Sequence, residues 1–182
     1  MGNFTLILIR KFKLLFNGIV YKILGLNSVG LTRIDFGSRL YFLNNITIGN
    51  NFVSGNCLRL QPLFKKSKIL IGDNVVFNDR VHIASASCVE IGSNCLFASN
   101  ILITDHGHGL FPKTTPPAKR PLDISPIIIG DNVWIGENVV VYKGVKIGNG
   151  SIIGANTFLK DDVPPNTIVR GTNWKKKKIN EK

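Results

Sequence analysis

The sequence predicts an all-β fold, a parallel β-helix of hexapeptide repeats, from the spacing of its apolar residues. Between residues 129 and 163 every sixth position is aliphatic, at Ile129, Ile135, Val141, Ile147, Ile153 and Leu159. A small or β-branched residue follows four places after each, at Val133, Val139, Val145, Ser151, Thr157 and Val163. A period of six matches neither a helix nor an ordinary strand. It fits one short strand and one turn per repeat, with three repeats in a triangular coil about 4.8 Å high.

Glycine and asparagine mark the predicted turns of these repeats. The second position of four repeats is glycine, at Gly130, Gly136, Gly148 and Gly154, whereas Tyr142 and Lys160 occupy it in the other two. Asparagine lies three places after the opening residue, at Asn132, Asn138 and Asn156. Both residue types tolerate backbone angles that other residues resist. We therefore expect them at the corners of the prism.

Residues 1–28 form a separate N-terminal segment in which apolar residues alternate with Arg10, Lys11, Lys13 and Lys22. This pattern predicts one or two short amphipathic helices. No uncharged run approaches the ~20 residues that a membrane-spanning helix needs, and no small-residue cleavage site indicates a signal peptide. The segment either caps the open end of the β-helix or lies in a membrane interface. We favour the cap.

Residues 29–171 are predicted to form the β-helix domain. The first clear hexapeptide lies within Ile46–Val53, and Pro62 with the Lys65–Lys66 pair indicates a bend or protruding turn after it. Two extra residues after Cys88 shift the phase. The remaining repeats open at Ile71, Phe77, Ile83, Ile91, Phe97 and Ile103.

A loop at residues 104–126 interrupts the count of six. It holds five of the eight prolines, at Pro112, Pro116, Pro117, Pro121 and Pro126. Proline removes a backbone donor and prevents regular ladder pairing, so this segment is expected to leave the prism. Long loops in a regular scaffold are commonly functional.

The composition restricts the partners and the compartment. The net charge is +12, and a basic tail at residues 172–182 contributes to it. This charge favours a polyanionic cofactor, an acidic glycan or an anionic membrane face, while no nucleic-acid motif accompanies it. Three cysteines without metal-type spacing imply no disulfide framework. Cys95 fills an inward position. We expect a bacterial cytoplasmic protein, with peripheral contact to the inner membrane left open.

The loop opens with a histidine motif, Thr104-Asp105-His106-Gly107-His108-Gly109. Imidazole is the side chain best suited to accept a proton near neutral pH, so His106 is a candidate general base rather than a polar turn residue. His82, the third histidine, is predicted to be a surface or interface residue. Three histidines also invite a zinc site, although their spacing does not favour one.

Several motifs together resemble the hexapeptide acyltransferases: the repeats at 129–163, VWIG at Val133–Gly136, TDH at Thr104–His106 and DVPPNTIVRG at Asp162–Gly171. The resemblance covers about residues 46–171. It is nearest to sugar O-acetyltransferases of the maltose and galactoside type, in particular those that act on surface polysaccharide or O-antigen units. It implies a left-handed β-helix, acetyl-CoA as donor, direct attack by a sugar hydroxyl without an acyl-enzyme, and a homotrimer with active sites between subunits.

The resemblance also implies roles for individual residues. His106 occupies the position of the general base. The acceptor sugar would contact Asn78, Asp105, Trp134 and His108. On chemical grounds alone, Asp105 or a backbone carbonyl could also fix the imidazole tautomer. Coenzyme A would lie against Trp134, Gly136, Gly154, Ala155, Lys160 and Arg170. No metal is expected.

Two departures from the family pattern concern the coenzyme A site. The chain reads LKDDVPP where the family often reads TKDVPP, so Lys160 falls one place early. Gly171 is followed by TNWKKKK, which would let Trp174 and Lys175–Lys178 replace the usual adenine and phosphate contacts. The alternatives left open are a zinc hydratase of the γ-carbonic-anhydrase type, an N-acyl or antibiotic acetyltransferase, and a non-catalytic solenoid.

Overall fold

The chain folds into a solenoid of parallel strands, as the period of six predicts. The solenoid fits the left-handed β-helix that the resemblance implies. This computed structural model describes residues 2–171 and 177–178. The expected contacts of Trp174, Lys175 and Lys176 lie outside these residues.

The prism is built from strands of two to five residues that follow one N-terminal helix. In chain order the described elements are α1 (Gly2–Ile23), β1 (Asn27–Ser28), β2 (Thr32–Arg33), β3 (Arg39–Leu40), β4 (Ile46–Ile48), β5 (Phe52–Ser54), β6 (Arg59–Pro62), β7 (Lys68–Ile71), β8 (Val76–Phe77), β9 (Val81–Ser85), β10 (Cys88–Ile91), β11 (Leu96–Phe97), β12 (Ile101–Thr104), β13 (His106–His108), β14 (Leu122–Ile124), β15 (Ile127–Ile129), β16 (Trp134–Ile135), β17 (Val140–Val141), β18 (Lys146–Ile147), β19 (Ile152–Ile153), β20 (Phe158–Leu159), β21 (Thr167–Val169) and β22 (Lys177–Lys178). Short 3-10 turns lie at Leu43–Asn45 and Pro117–Lys119.

Three parallel sheets form the faces of the prism. The first has the order β1-β4-β7-β10-β15-β18, the second begins β2-β5-β8-β11-β16-β19-β21, and the third is β3-β6-β9-β12-β17-β20. In the second sheet β22 pairs antiparallel with β21. Each step along a sheet is one coil.

The turns after each sheet stack into three edges. The first edge contains Gly49, Gly72, Gly92, Gly130 and Gly148; the second edge contains Gly55, Asn78, Ala98, Gly136 and Gly154; the third edge contains Gln61, Ala84, Thr104, Tyr142 and Lys160. The predicted asparagines of the turns adopt left-handed backbone angles, with φ of 56° at Asn132 and Asn138 and 58° at Asn156.

The core is the stack of opening residues that the repeat predicts. Each opening residue from Ile129 to Leu159 is at most 2% exposed, and the small or β-branched residues four places later are buried with them. Phe52, Phe77 and Phe97 stack edge to face on successive coils, with ring centroids 5.2 and 4.6 Å apart. The prediction that Cys95 belongs to the core is confirmed, and burial raises the pKa of its thiol.

Helix α1 lies on the first coil of the prism. Leu14 is buried, and its carbonyl accepts a hydrogen bond from Ile34 N at 3.1 Å. The Asn17 amide donates to the carbonyls of Ile34 and Asp35. The helix is one continuous segment of 22 residues, where one or two short helices were expected. The helix continues through Gly18. Glycine is needed at this position because the helix approaches β2 so closely that a Cβ would lie 2.0 Å from Thr32 O.

Candidate active site

The loop that leaves the third edge is an ordered hairpin. Strand β13 begins at His106 and pairs antiparallel with β14, so that His106 lies opposite Ile124. Two hydrogen bonds close its base, from Ser125 N to Asp105 O and from Gly144 N to Ser125 O, both 2.9 Å long. The ion pair between Lys143 and Asp123, 2.9 Å long, joins β14 to the next coil.

Arg120 organises the outer part of this loop. Its Nε donates to Thr115 O at 2.8 Å, and its terminal nitrogens lie 3.4 to 3.5 Å from the carbonyls of Gly109, Leu110 and Lys113. The Arg120 guanidinium therefore donates to backbone carbonyls of the loop. These carbonyls have no ladder partners, because proline-rich segments do not form regular strands. Sequence reasoning missed this residue, because nothing in its spacing distinguishes it.

His106 is held at the rim of the third edge by its neighbours in sequence. The Nδ1 atom of its ring lies 3.1 Å from Asp105 Oδ1 and 3.3 Å from Thr104 Oγ1, and the Thr104 hydroxyl donates to His106 O at 3.1 Å. Only 16% of the His106 side chain is exposed. With a carboxylate at Nδ1, that nitrogen carries the proton, so Nε2 has the lone pair that accepts one.

The Asp105 carboxylate is fully buried and held by several donors. Ala86 N donates to Oδ1 at 2.6 Å, Ser87 N donates to Oδ2 at 2.8 Å, and the Ser85 hydroxyl donates to Oδ2 at 2.9 Å. These bonds hold the carboxylate in one orientation. Contact with an acceptor sugar, which the resemblance implied for Asp105, is difficult for a side chain without solvent exposure; contact with His106 is present.

Tyr142 lies beside the histidine motif. A Cβ at Gly107 would lie 2.4 Å from the Tyr142 hydroxyl, so the Tyr142 side chain lies directly against β13 and would have to move if residue 107 had a side chain. The ring is 5.9 Å from that of Phe158 on the next coil. Sequence reasoning did not assign Tyr142 to the site, but the signal was available: Tyr142 and Lys160 are the two residues that break the glycine pattern of residues 129–163, and both lie on the third edge.

His82 lies near His106 on the third sheet. His82 pairs in the ladder with Leu102 and with Arg59, and the pair His82–Leu102 lies two residues before the pair Ala84–Thr104. Burial lowers the pKa of His82, and the charges of Arg59 and His106 lower it further. The surface or interface role of His82 stays a prediction, and its proximity to His106 was not expected from the sequence.

Most of the residues assigned to coenzyme A share the second edge. Trp134 is 49% exposed on β16, and Gly136 follows it at the turn. A Cβ at Gly136 would touch Ala155 N at 2.7 Å, and one at Gly154 would lie 3.7 Å from Arg170 Cγ. One continuous strip over three coils therefore contains Trp134, Gly136, Gly154, Ala155 and Arg170.

Asn78, the predicted acceptor contact, is also on the second edge. Asn78 N bonds to Phe97 O and Ala98 N to Ile135 O, which places Asn78 two coils before Gly136. Asn78 lines a cavity of about 500 Å³ together with Asp79, Arg33 and Lys11 of helix α1.

One chain does not bring His106 together with this strip. His106 and Lys160 belong to the third edge, and the strands of the third sheet separate that edge from the second, a span of about 15 Å for five extended residues. Lys160 is thus apart from the other residues assigned to coenzyme A. His108 is exposed at the end of β13. Across the described ranges 2–171 and 177–178, no group of three or more His, Cys, Asp or Glu residues could hold a metal ion, so the three histidines do not form such a group.

Comparisons with known proteins show the family of the chain. Residues 126–161 match the family model of the bacterial transferase hexapeptide, six repeats. An Escherichia coli K12 protein named as a lipopolysaccharide biosynthesis O-acetyl transferase, WbbJ, is 45% identical over 134 residues, which are 70% of this chain and 68% of that protein. The chain therefore belongs to the hexapeptide-repeat acetyltransferases.

Solved structures show the same fold. A galactoside acetyltransferase in complex with coenzyme A has a TM-score of 0.60 and 28% identity, and the match covers 85% of this chain and 64% of that one. The N-acyltransferase AntD from Bacillus cereus, in complex with dTDP-4-amino-4,6-dideoxyglucose and coenzyme A, has a TM-score of 0.76 at 22% identity and covers 90% of this chain and 89% of its own. The latter likeness supports the fold alone.

Proposed function

We propose that this acetyltransferase transfers an acetyl group from acetyl-CoA to a hydroxyl of a sugar in a glycan or polysaccharide precursor. The observation that carries the proposal is the His106–Asp105 pair at the base of the hairpin, on a chain similar to WbbJ and to galactoside acetyltransferase. The donor follows from the family, whose solved members include complexes with coenzyme A.

The pair supplies what the reaction lacks. A sugar hydroxyl is a poor nucleophile at neutral pH, so its proton must be removed as the oxygen attacks the thioester carbon. In the proposal, Asp105 holds the Nδ1–H tautomer, and His106 Nε2 takes the proton. The C–O bond forms as the C–S bond of the thioester breaks, and the coenzyme A sulfur leaves as the thiolate, which the imidazolium can protonate. Asp105 acts through His106 and is a positioning residue.

The donor and the acceptor are assigned to the strip on the second edge. Trp134 offers an exposed aromatic face, and Gly136, Gly154 and Ala155, none of them buried, line the same strip where the pantetheine arm is assigned. Arg170 at its end supplies a cation for coenzyme A phosphates. Asn78 contributes an exposed amide for sugar hydroxyls.

The separation of the two edges supports a homotrimer. A complete site needs His106 from one subunit and the second-edge strip from its neighbour, and a closed threefold ring provides three such junctions. Both edges flank the third sheet, whose outward residue Phe158 is 46% exposed in one chain.

The test is release of free thiol from acetyl-CoA in the presence of candidate sugars and nucleotide sugars. We expect His106→Ala to lower the turnover by about 10²- to 10⁴-fold, the usual worth of a general base. His108→Ala, on the exposed end of the same strand, removes a predicted acceptor contact but not the base, so it should raise the KM for the sugar and lower the turnover much less. Full activity of His106→Ala, or turnover with amines but not with hydroxyls, would contradict the proposal.

A further inference from the structure

Helix α1 carries an exposed apolar stripe along its outer side. Ile9, Phe12, Phe16, Ile19 and Ile23 follow one another at intervals of three or four residues, and all are 46% to 79% exposed. That spacing puts them on one face of a helix. Residues of a soluble cap would normally be polar there, because α1 already packs on the prism through Leu14, Asn17 and Gly18. The stripe is left for another partner.

The stripe continues beyond the helix into the second coil. Leu24 and Phe42, 63% and 57% exposed, line a shallow groove together with Lys65. Of the nineteen large apolar residues that are exposed among the described side chains, eleven precede residue 43. One end of the prism is therefore much more apolar than the rest.

The same end is strongly basic. Residues 1–72 contain ten Lys and Arg and one acidic residue, Asp35, which leaves +9 of the total charge of +12 in this part of the chain. At about 100° per residue, the exposed Lys13 falls to one side of the stripe. On the other side the Lys22 ammonium donates to Gly30 O at 2.6 Å, and Lys11 lines the cavity beside Asn78. A lysine at the margin of an apolar face, such as Lys13, can extend its ammonium group while its stem stays on apolar surface.

We propose that the outer face of α1 is a docking surface for an anionic lipid bilayer. An apolar stripe with Lys13 at its margin, at a strongly basic end of the chain and on a helix that lies against its own domain, matches what an interfacial helix needs. Within the described residues no helix is long and apolar enough to cross a membrane, so the contact is peripheral. Charge decides between a bilayer and a second copy of the chain: two like copies would bring the positive ends together, whereas phosphatidylglycerol supplies the opposite charge.

Vesicle co-sedimentation of the full chain, without acetyl-CoA or acceptor, tests this proposal separately from the enzymatic one. We expect binding to vesicles of phosphatidylethanolamine and phosphatidylglycerol, little binding to phosphatidylcholine, and release by salt, because exposed charges are screened. The double variant Phe12→Ser/Phe16→Ser should lower the partition coefficient about a hundredfold, since each buried aromatic ring contributes about a factor of ten or more. Lys13→Glu should lower it several-fold.

The matched control removes an equally exposed apolar pair at another place, Leu110→Ser/Phe111→Ser in the loop, and should bind as the wild type does. If the Phe12/Phe16 variant misfolds, the Lys13→Glu variant and the lipid comparison still decide. The proposal would be overturned if the wild type did not bind the vesicles, or if the two double variants bound equally well. It would also be overturned if the wild type did not bind lipid and the Phe12/Phe16 variant had a smaller mass than the wild type in sedimentation without vesicles. The last result would assign the stripe to a second copy.

Discussion

At the scale of single residues, the candidate site contains a carboxylate that no solvent reaches. Asp105 accepts bonds from two backbone amides and a serine, and it faces His106 Nδ1 at 3.1 Å. A carboxylate accepts at every position, whereas the amide of asparagine must place its NH₂ toward at least one of these donors. The identity of residue 105 therefore affects both folding and the imidazole tautomer.

We expect Asp105→Asn to reduce turnover by about a hundredfold or more, because His106 loses the acceptor that fixes Nδ1–H. It should also cost about 1–3 kcal/mol of stability for each buried donor left unpaired. Steady-state kinetics and thermal unfolding measure the two effects. Ser85→Ala, which removes one donor to Asp105 and leaves the carboxylate, is the control. Wild-type turnover in a folded Asp105→Asn protein would show that the pair does not position the base.

The lowered pKa of His82 leads to a prediction of how the stability of the protein depends on pH. Because burial and the neighbouring cations lower its pKa below 6.5, the unfolded chain binds the proton first as the pH falls, and the free energy of unfolding decreases in that window. His82→Gln cannot bind this proton. We expect its melting temperature to fall less than that of the wild type between pH 7 and about pH 5.5, while above pH 7 the difference between the two proteins stays constant. A parallel course of the two curves throughout would refute the prediction.

At the scale of elements, the three edges differ in what they tolerate. The first edge is glycine in five successive coils, and the third edge carries Gln61, Ala84, Thr104, Tyr142 and Lys160. Side chains with chemical function therefore collect where the loop leaves the prism. The hairpin β13–β14 extends this edge, and its shape depends on Arg120.

Arg120→Met tests that dependence. The change keeps the length of the side chain but removes the donors to the carbonyls of Thr115, Gly109, Leu110 and Lys113. We expect faster hydrogen exchange and proteolysis between residues 109 and 120, with little change in the melting temperature of the prism, because loop opening is local. Lys119→Met, at the exposed neighbouring position, should leave exchange unchanged. Unaltered exchange in Arg120→Met would assign the order of the loop to other contacts.

At the scale of the whole molecule, the distance between the edges makes a prediction about assembly. If each site takes His106 from one subunit and the strip from the next, then co-expression of His106→Ala with Asn78→Ala/Trp134→Ala restores sites in mixed trimers. Random assembly gives about a quarter of the wild-type activity in a closed ring. Mixing His106→Ala with Asp105→Asn, both on the third edge, should restore none. Equal results for both mixtures would place the site within one chain.

Much of this molecule could be predicted from its sequence. The structure confirms four predictions made from the sequence. They are the β-helix coil of the six-residue repeat, the left-handed backbone angles of the asparagines, the burial of Cys95 and the departure of residues 104–126 from the prism. They depend on contacts between neighbouring coils, which repeat along the chain and leave a regular pattern. His106 was identified as a candidate for the same reason, since it lies where that pattern stops.

Only the tertiary structure decided which residues meet. The edge that a residue occupies depends on how many turns precede it, and the insertion at Val89–Glu90 and the long loop reset that count. The burial of Asp105, the place of Tyr142 beside Gly107 and the nearness of His82 to His106 all follow from this register between coils. Only packing against β2 shows that α1 is covered on the face of Leu14, Asn17 and Gly18, which leaves the more apolar stripe exposed. The local period of the sequence determines the shape of each coil, and the stacking of the coils determines which residues become neighbours.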